Sequence, residues 1–469
     1  MNFTVKLPEI KDFTCDIREF GAVHGGIVSN TKAIQSAIQA CFENGGGHVV
    51  IPQGIWLTGP IKLLSGIDLH LEKGALLLFS KSKEEYPLIV TEYEGMKHLR
   101  AVSPIMAVNA ENISITGDGV IDGSGHLWRI CKEFKFTKRE WAKLLKKSPD
   151  TLISTNEGDI WFPTQSAIDG YKKGEPDLSN EEEALKQAAP YYDFYRPVMV
   201  EIRNCDKVLI EGVTLENSPA WNVHPVYCKN VTIRDAYIRN ADYAQNGDGL
   251  DVESCRYVEI ANVRFDVGDD AICIKSGKNR EARKIQIPTE DVYIHDCVVL
   301  HGHGGFVVGS EMSRGVKNIL VENCTFMGTD VGIRFKSAMG RGGVVENITL
   351  NNINMIDIPN EAIIFTMGYV LSTFSKSEEE ERSDYDVEDV PEFKNISIKN
   401  TTCLNAGIGV KIEGLPQLPV HDILLENVDI TTDNKLSLTN AKDIVLKNVI
   451  FRNPADNTEE IYNDVLCNI

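Results

Sequence analysis

Asn230-Val-Thr-Ile233 is a polar residue followed by an apolar–any–apolar triplet, and the same phrase returns along the chain. The triplet occurs as Ile113-Ser-Ile115, Val208-Leu-Ile210, Val231-Thr-Ile233, Val258-Glu-Ile260 and Val292-Tyr-Ile294. It continues as Ile319-Leu-Val321, Ile348-Thr-Leu350, Ile396-Ser-Ile398, Ile423-Leu-Leu425 and Ile444-Val-Leu446. From Val208 onward successive starts lie 23, 27, 34, 27, 29, 48, 27 and 21 residues apart, the two longest reading as one unit with an inserted loop. Each triplet alternates as a half-buried strand does. One such strand cannot bury its apolar face, but stacked coils can, each pairing with the next through its backbone. A propeller needs about 40 residues per blade, and a leucine-rich horseshoe needs a Leu ladder that is absent. The pattern predicts an all-β chain, a single-stranded right-handed parallel β-helix, with residues 1–469 forming one domain.

Composition narrows the function. Of 469 residues, 42% are hydrophobic and 25% charged, which is ordinary for a folded globular chain. A formal charge of −20 excludes a nucleic-acid binder that relies on a basic footprint. A polyanionic substrate then requires a local cluster of Lys and Arg that reverses the field. No apolar run approaches the roughly 20 residues of a membrane span. Eleven cysteines, odd in number and without a CxxC pair, fit neither a zinc ribbon nor a disulfide framework. Cys205, Cys255, Cys297, Cys324 and Cys403 lie beside the repeated phrase and read as a ladder of small buried thiols. Met1-Asn-Phe-Thr-Val-Lys6 lacks the apolar core of an export signal. The expectation is a secreted or periplasmic protein whose signal has been removed, with a cytoplasmic one as the alternative. Oligomeric state is not legible in the sequence.

A solenoid needs caps. Residues 31–44 supply one: Ala33, Ile34, Ala37, Ile38, Cys41 and Phe42 form an apolar stripe, Thr31 or Asn30 can cap its start, and Gly45–Gly47 ends it. The stretch 431–469 is expected to close the other end. Two insertions interrupt the rhythm. Residues 128–195 are charged and helix-like, with Thr137-Lys-Arg-Glu140 and Ser179-Asn-Glu-Glu182 reading as capping boxes. Residues 375–390 are acidic and read as a solvated surface loop, without the ligand spacing of a calcium site.

Chemistry gathers on one strand line. Asn246-Gly-Asp248 is followed by Gly268-Asp269-Asp270, whose acids lie 21 and 22 residues past Asp248, one coil later. A parallel stack places such residues on adjacent rungs about 4.8 Å apart. Crowded carboxylates divide into one that keeps its proton and others that stay ionised, which is what glycoside hydrolysis needs. The next coil carries Gly302-His303-Gly-Gly305, a low floor beside the acids. The following one carries Arg334-Phe-Lys336, two cations on one side of a strand with Phe335 turned inward. They form the positive cluster an acidic chain needs to hold an acidic sugar, Arg334 by a two-pronged grip and Lys336 as a point charge.

These four motifs, in this order, resemble the polygalacturonase family, glycoside hydrolase family 28, whose pattern is Asn-Thr-Asp, Gly-Asp-Asp, Gly-His-Gly and Arg-Ile-Lys on a pectin-lyase-like solenoid. The resemblance runs from Phe20-Gly-Ala22 to at least Gly414. Gly247 stands for Thr and Phe335 for Ile, and Val23–Asn30 lacks the family's usual Gly-Asp-Gly. The resemblance implies hydrolysis of α-1,4-linked galacturonic acid in pectic polysaccharide or oligogalacturonides, with inversion and without a cofactor or metal. It gives Asp269 the role of general acid and Asp248 and Asp270 that of holding and activating water. His303 would support the acid's protonation, Asn246 would orient Asp248 or the sugar, and Arg334, Lys336 and Tyr369 would bind substrate. Gly309–Gly315, with Arg314 as a further substrate ligand, and Gly340–Gly343 look like the exo-acting bacterial branch, and the 128–195 insertion could wall off one end of the cleft. Release of single galacturonic acid units follows as the expected mode. The alternatives are hydrolysis of rhamnogalacturonan or xylogalacturonan, a calcium-dependent pectate lyase, and a sugar-binding β-helix without turnover.

Overall fold

The structure is a computed structural model, and it describes residues 3–147, 151–156, 158–369, 385–456 and 458–469. All ten triplets stack in register. Ile113 pairs with Val208, Val208 with Val231, and the ladder runs on through Val258, Val292, Ile319, Ile348, Ile396 and Ile423 to Ile444, always parallel. The result is a right-handed parallel β-helix whose core is the two apolar positions of every triplet, each buried.

The polar residue before each triplet makes the corner. Asn112, Lys207, Asn230, Tyr257, Asp291, Asn318, Asn347, Asn395, Asp422 and Asp443 all have φ between 51° and 58°. That left-handed conformation costs an ordinary L-residue about 1–2 kcal/mol and is tolerated best by Asn and Asp, which is why the phrase opens on them. The corner amides also bond to one another: Asn347 Nδ2 donates to Asn318 Oδ1 at 3.3 Å, and Asn395 Nδ2 to Asn347 Oδ1 at 2.5 Å. The five ladder cysteines are free and buried, and Cys228 joins them, its N–H reaching Cys255 Sγ at 3.4 Å.

Helix α1 (Thr31–Glu43) covers the first coil with Ala33, Ile34, Ala37, Ile38 and Cys41, while Phe42 faces solvent. Its start departs from expectation. Asn30 makes no side-chain cap; its amide is instead engaged with backbone groups of Val23, Val28 and Leu57. Thr31 Oγ1 instead accepts the N–H of Gly59 at 2.6 Å. At the far end the parallel stack stops at Ala441–Arg452. The next strands, Glu459–Tyr462 and Val465–Cys467, pair with it antiparallel.

Among the described residues the 128–195 insertion holds three α-helices, α2 (Lys138–Leu145), α3 (Gln165–Lys173) and α4 (Glu181–Ala188), plus a three-stranded antiparallel sheet the sequence pattern did not announce. Thr137 and Glu140 form the expected capping box. At α4 the cap is Asn180, whose side chain accepts from Glu183 N; Ser179 is already held by Asp177. A hairpin, Leu88–Tyr93 with Met96–Ala101, is a second unannounced excursion. Residues 375–384 of the acidic stretch lie outside the described residues. Its described end lies at the surface, with Asp386, Val387 and Glu388 exposed, but is anchored at one point: Asp389 is buried and binds Arg280 Nε at 2.8 Å and the guanidinium of Arg283.

Candidate active site

Four consecutive rungs assemble the cleft. Leu250 pairs with Ile272, Ile272 with Phe306, and Phe306 with Ile333. Asp248 and Asp270 therefore sit just before equivalent strand starts, and His303 and Arg334 follow one and two rungs on. The main chain ties them together: Gly249 N–H donates to Asp270 O at 2.9 Å and His303 N–H to Asp269 O at 2.8 Å. One side-chain oxygen from each of Asp248, Asp269 and Asp270 lies within 4.8 Å of the other two. Asp248 and Asp270 are buried in the floor, and Asp269 is partly exposed to the cleft. The floor must be glycine at 304, where a Cβ would sit 2.3 Å from Val307 Cγ2 and 3.0 Å from Asp270 Oδ1.

The environments of the acids differ. Burial pushes the Asp248 carboxyl well up, and the neighbouring Asp251 and Asp269 add to it. Burial acts on Asp270 too, but is outweighed by Lys336, whose Nζ is 2.7 Å away, with His303 and Arg334 behind it. Asp270 is held well below the usual carboxylate range. Asp269 accepts two main-chain donors, Asn246 N at Oδ2 and Asp270 N at Oδ1, both 3.1 Å away. Asn246 thus orients Asp269 rather than Asp248, and its own side-chain oxygen accepts from Arg196 Nη2 at 2.7 Å. Beneath the row, burial raises Asp251 to about 7 against the pull of Lys275.

Arg334 and Lys336 point to one side of their strand, with Phe335 in the core. Both cations sit over the Tyr369 ring, 5.4 and 5.2 Å from its centroid. Arg334 Nε and Nη1 are buried and meet no hydrogen-bond acceptor among the described residues. A carboxylate offers what those two donors lack. The three aspartates also form the one cluster among the described residues able to gather oxygen ligands for a cation, although Lys336 already neutralises part of it.

The cleft, about 410 Å³, is not walled by the solenoid alone. The insertion contributes Ile130, Lys132, Phe134, Lys135 and Tyr171, and the hairpin contributes Tyr93, Glu94 and Arg100. Two contacts pin the insertion down: Arg129 Nη2 to Ser218 O at 2.9 Å and Lys135 Nζ to Gly268 O at 2.6 Å, the carbonyl preceding Asp269.

Comparison with known proteins agrees with this geometry. Residues 185–459 match the family model of glycosyl hydrolases family 28. The chain belongs to that family. Over 99% of its length it is similar to the hyperthermoactive exopolygalacturonase of Thermotoga maritima, with 30% identity, a TM-score of 0.77 and 97% of that chain covered. The family 28 exopolygalacturonase of Yersinia enterocolitica is 26% identical, with a TM-score of 0.73, over 94% of this chain and 75% of that one. The exo-poly-alpha-D-galacturonosidase of Dickeya chrysanthemi is 26% identical over 473 aligned positions, 96% of this chain and 72% of the relative.

As a family 28 hydrolase the chain brings together Asn246, Asp248, Asp269, Asp270, His303, Arg334, Lys336 and Tyr369. Arg314 stands apart. Its guanidinium is spent inside the protein, on Ala282 O at 2.9 Å, Ser254 Oγ at 3.1 Å and Gly95 O at 2.9 Å, and it does not line the cleft. It anchors the hairpin to the solenoid instead. Gly247, where the family has Thr, is explained locally: a Cβ there would lie 2.5 Å from Ala244 Cβ. Sequence reasoning missed Asp330, which bonds to His303, and Trp221, which stacks on Tyr93 at 4.3 Å in the cleft wall. For Asp330 the available signal was its place, four residues before Arg334 on the same strand.

Proposed function

We propose that this glycosidase hydrolyses α-1,4-linked galacturonan from the chain end and releases galacturonic acid. The observation that carries the reading is Arg334. Two buried guanidinium donors without an acceptor among the described residues, beside Lys336 over the Tyr369 ring and close enough to help hold Asp270 ionised, fit an acidic sugar at the scissile bond. The exo mode is supported by the insertion and hairpin, which wall a cleft that a bare solenoid leaves open, and by the exo-acting relatives.

The chemistry divides among the three acids. Asp269, the one exposed to the cleft, delivers a proton to the glycosidic oxygen. Asp248, whose buried carboxyl favours its protonated form, lies beside Asp269 and adds to the crowding of charge in the row. Asp270, kept ionised by Lys336, takes a proton from the attacking water. Asp248 Oδ1 and Asp270 Oδ1 are both buried and accept nothing from the described residues; one water donating to both would satisfy them. Two acceptors for one water support inversion. The carboxylates approach within 4.8 Å of one another, closer than the about 6.5–9.5 Å common to inverting enzymes, which makes the stereochemistry a point to measure. Proton NMR of the first product decides it: the β-anomer is expected, and α-galacturonic acid appearing first would refute inversion.

Product analysis on de-esterified polygalacturonate, with and without chelator, tests the whole reading. Saturated galacturonic acid alone from the earliest times, unaffected by chelator, is expected. An early ladder of oligomers would sink the exo mode, and an unsaturated product lost on chelation would identify a lyase. Absence of turnover on this polymer with activity on rhamnogalacturonan or xylogalacturonan would move the substrate.

A further inference from the structure

His303 and Asp330 stand opposite each other on neighbouring rungs, between the register pairs Gly302–Thr329 and Gly304–Val331. Asp330 Oδ2 lies 2.8 Å from His303 Nδ1. Both side chains line the cleft. We propose that Asp330 is the positioning residue that locks His303 in one tautomer and one orientation, with Nδ1–H donated to Asp330 and Nε2 left for the cleft. The proposal rests on the reading of this site as the hydrolytic centre and extends it by one residue.

Pairs of His and Asp are common in this protein and carry little by themselves. His295–Asp296 and His421–Asp422 are adjacent in sequence, and His301–Asp266 lies on the outer surface. Three features set His303–Asp330 apart. First, the backbone of His303 is fastened to the catalytic row, its N–H donating to Asp269 O at 2.8 Å, so ring rotation is the freedom that remains. Second, a neutral imidazole chooses its protonated nitrogen by the hydrogen bond the other makes, and a carboxylate at Nδ1 settles that choice. Third, Asp330 remains a carboxylate in place: its bond to His303 holds it below the ordinary range against the effect of burial, with Lys135 from the insertion and Arg334 assisting. The insertion therefore acts on the catalytic histidine through one acidic residue.

The competing role for Asp330, half-exposed as it is, is a direct hydrogen bond to a sugar hydroxyl. The two roles separate in kinetics. Asp330→Ala, Asp330→Glu, His303→Gln and the double variant Asp330→Ala/His303→Gln are compared on trigalacturonate, with thermal melting as the folding control. Asp330→Ala is expected to lower kcat by about 10- to 100-fold with KM within about twofold, and Asp330→Glu to recover most of it. In the His303→Gln background the alanine change should cost less than about twofold further. Nitrogen-15 NMR of the imidazoles, with His303 assigned by its loss in His303→Gln, should show Nδ1–H in the wild type and Nε2–H in Asp330→Ala. A raised KM with unchanged kcat, multiplying losses in the double variant, or an unchanged tautomer in Asp330→Ala would each overturn the proposal. Failure of the wider reading looks different: His303→Gln would then leave turnover intact while the tautomer still followed Asp330.

Discussion

Arg334→Met separates a substrate-binding cation from a structural one by the sign of its effect on stability. In the free enzyme Arg334 Nε and Nη1 are buried without acceptors among the described residues. An unsatisfied buried donor costs about 1–3 kcal/mol. The guanidinium recovers part of this from the Tyr369 ring 5.4 Å away, an interaction of about 0.5–2 kcal/mol. Methionine keeps the apolar stem's packing and removes both the orphan donors and the repulsion from Lys336. The variant should therefore be as stable as the wild type or up to about 2 kcal/mol more so. With an unfolding entropy of about 2.1 cal/mol/K per residue over 469 residues, that is a rise in Tm of about 2 °C. Activity should move the other way. Each hydrogen bond to a charged group is worth about 1.5–3 kcal/mol, so losing two lowers kcat/KM by about 10²–10⁴. Lys336 remains, which favours the lower half of that range. Initial rates on trigalacturonate and its methyl ester, with calorimetry on the same preparations, give both numbers. The wild type should prefer the free acid and the variant should lose that preference. A variant melting several degrees lower with kcat/KM within tenfold would show that Arg334 holds the fold and not the substrate.

Lys336→Met should reverse a pH dependence. In the wild type Asp270 has a lowered native pKa, so its pairing adds stability above the unfolded value of about 3.9 and loses it as pH falls through the native one. Without Lys336 the burial of Asp270 dominates, the native value rises, and stability is lost as pH climbs from about 4 toward 7. Asp248 and Asp251 are common to both proteins, so the difference in Tm should be widest near pH 7, and an equal gap at pH 4 and 7 would contradict the account. Gly304→Ala should abolish most turnover while the chain still folds, since its Cβ presses on Val307 and Asp270; full activity would mean the floor can give way. Asn347→Ala, at φ 57° and in the corner ladder, should cost about 1–2 kcal/mol in thermal melts, and Asn347→Gly less, because glycine accepts that backbone. Equal losses in the two would place the cost in the amide ladder instead.

What was legible in the sequence is what repeats. A side-chain period of two and a corner residue able to take positive φ fix each triplet locally, so all ten could be found without knowing their partners. The aspartates were legible for the same reason: Asp248 and Asp270 are 22 residues apart because Leu250 and Ile272 are neighbours in the stack. The cleft walls were not, because their contacts obey no period. Lys135 reaches Gly268 across 133 positions and Arg314 reaches Gly95 across 219. The mistaken reading of Arg314 follows from this. In sequence Arg314 and Arg334 are both arginines flanking a family-like motif near a strand end. In space one guanidinium is satisfied by Ala282, Ser254 and Gly95, and the other is buried with two donors unmet. A protein that keeps such donors unsatisfied accepts a stability cost at that position, and on the proposed reading an acidic ligand offsets it. The motif already marked Arg334 as a candidate cation; the unmet hydrogen-bonding capacity that separates it from Arg314 belongs to the folded arrangement.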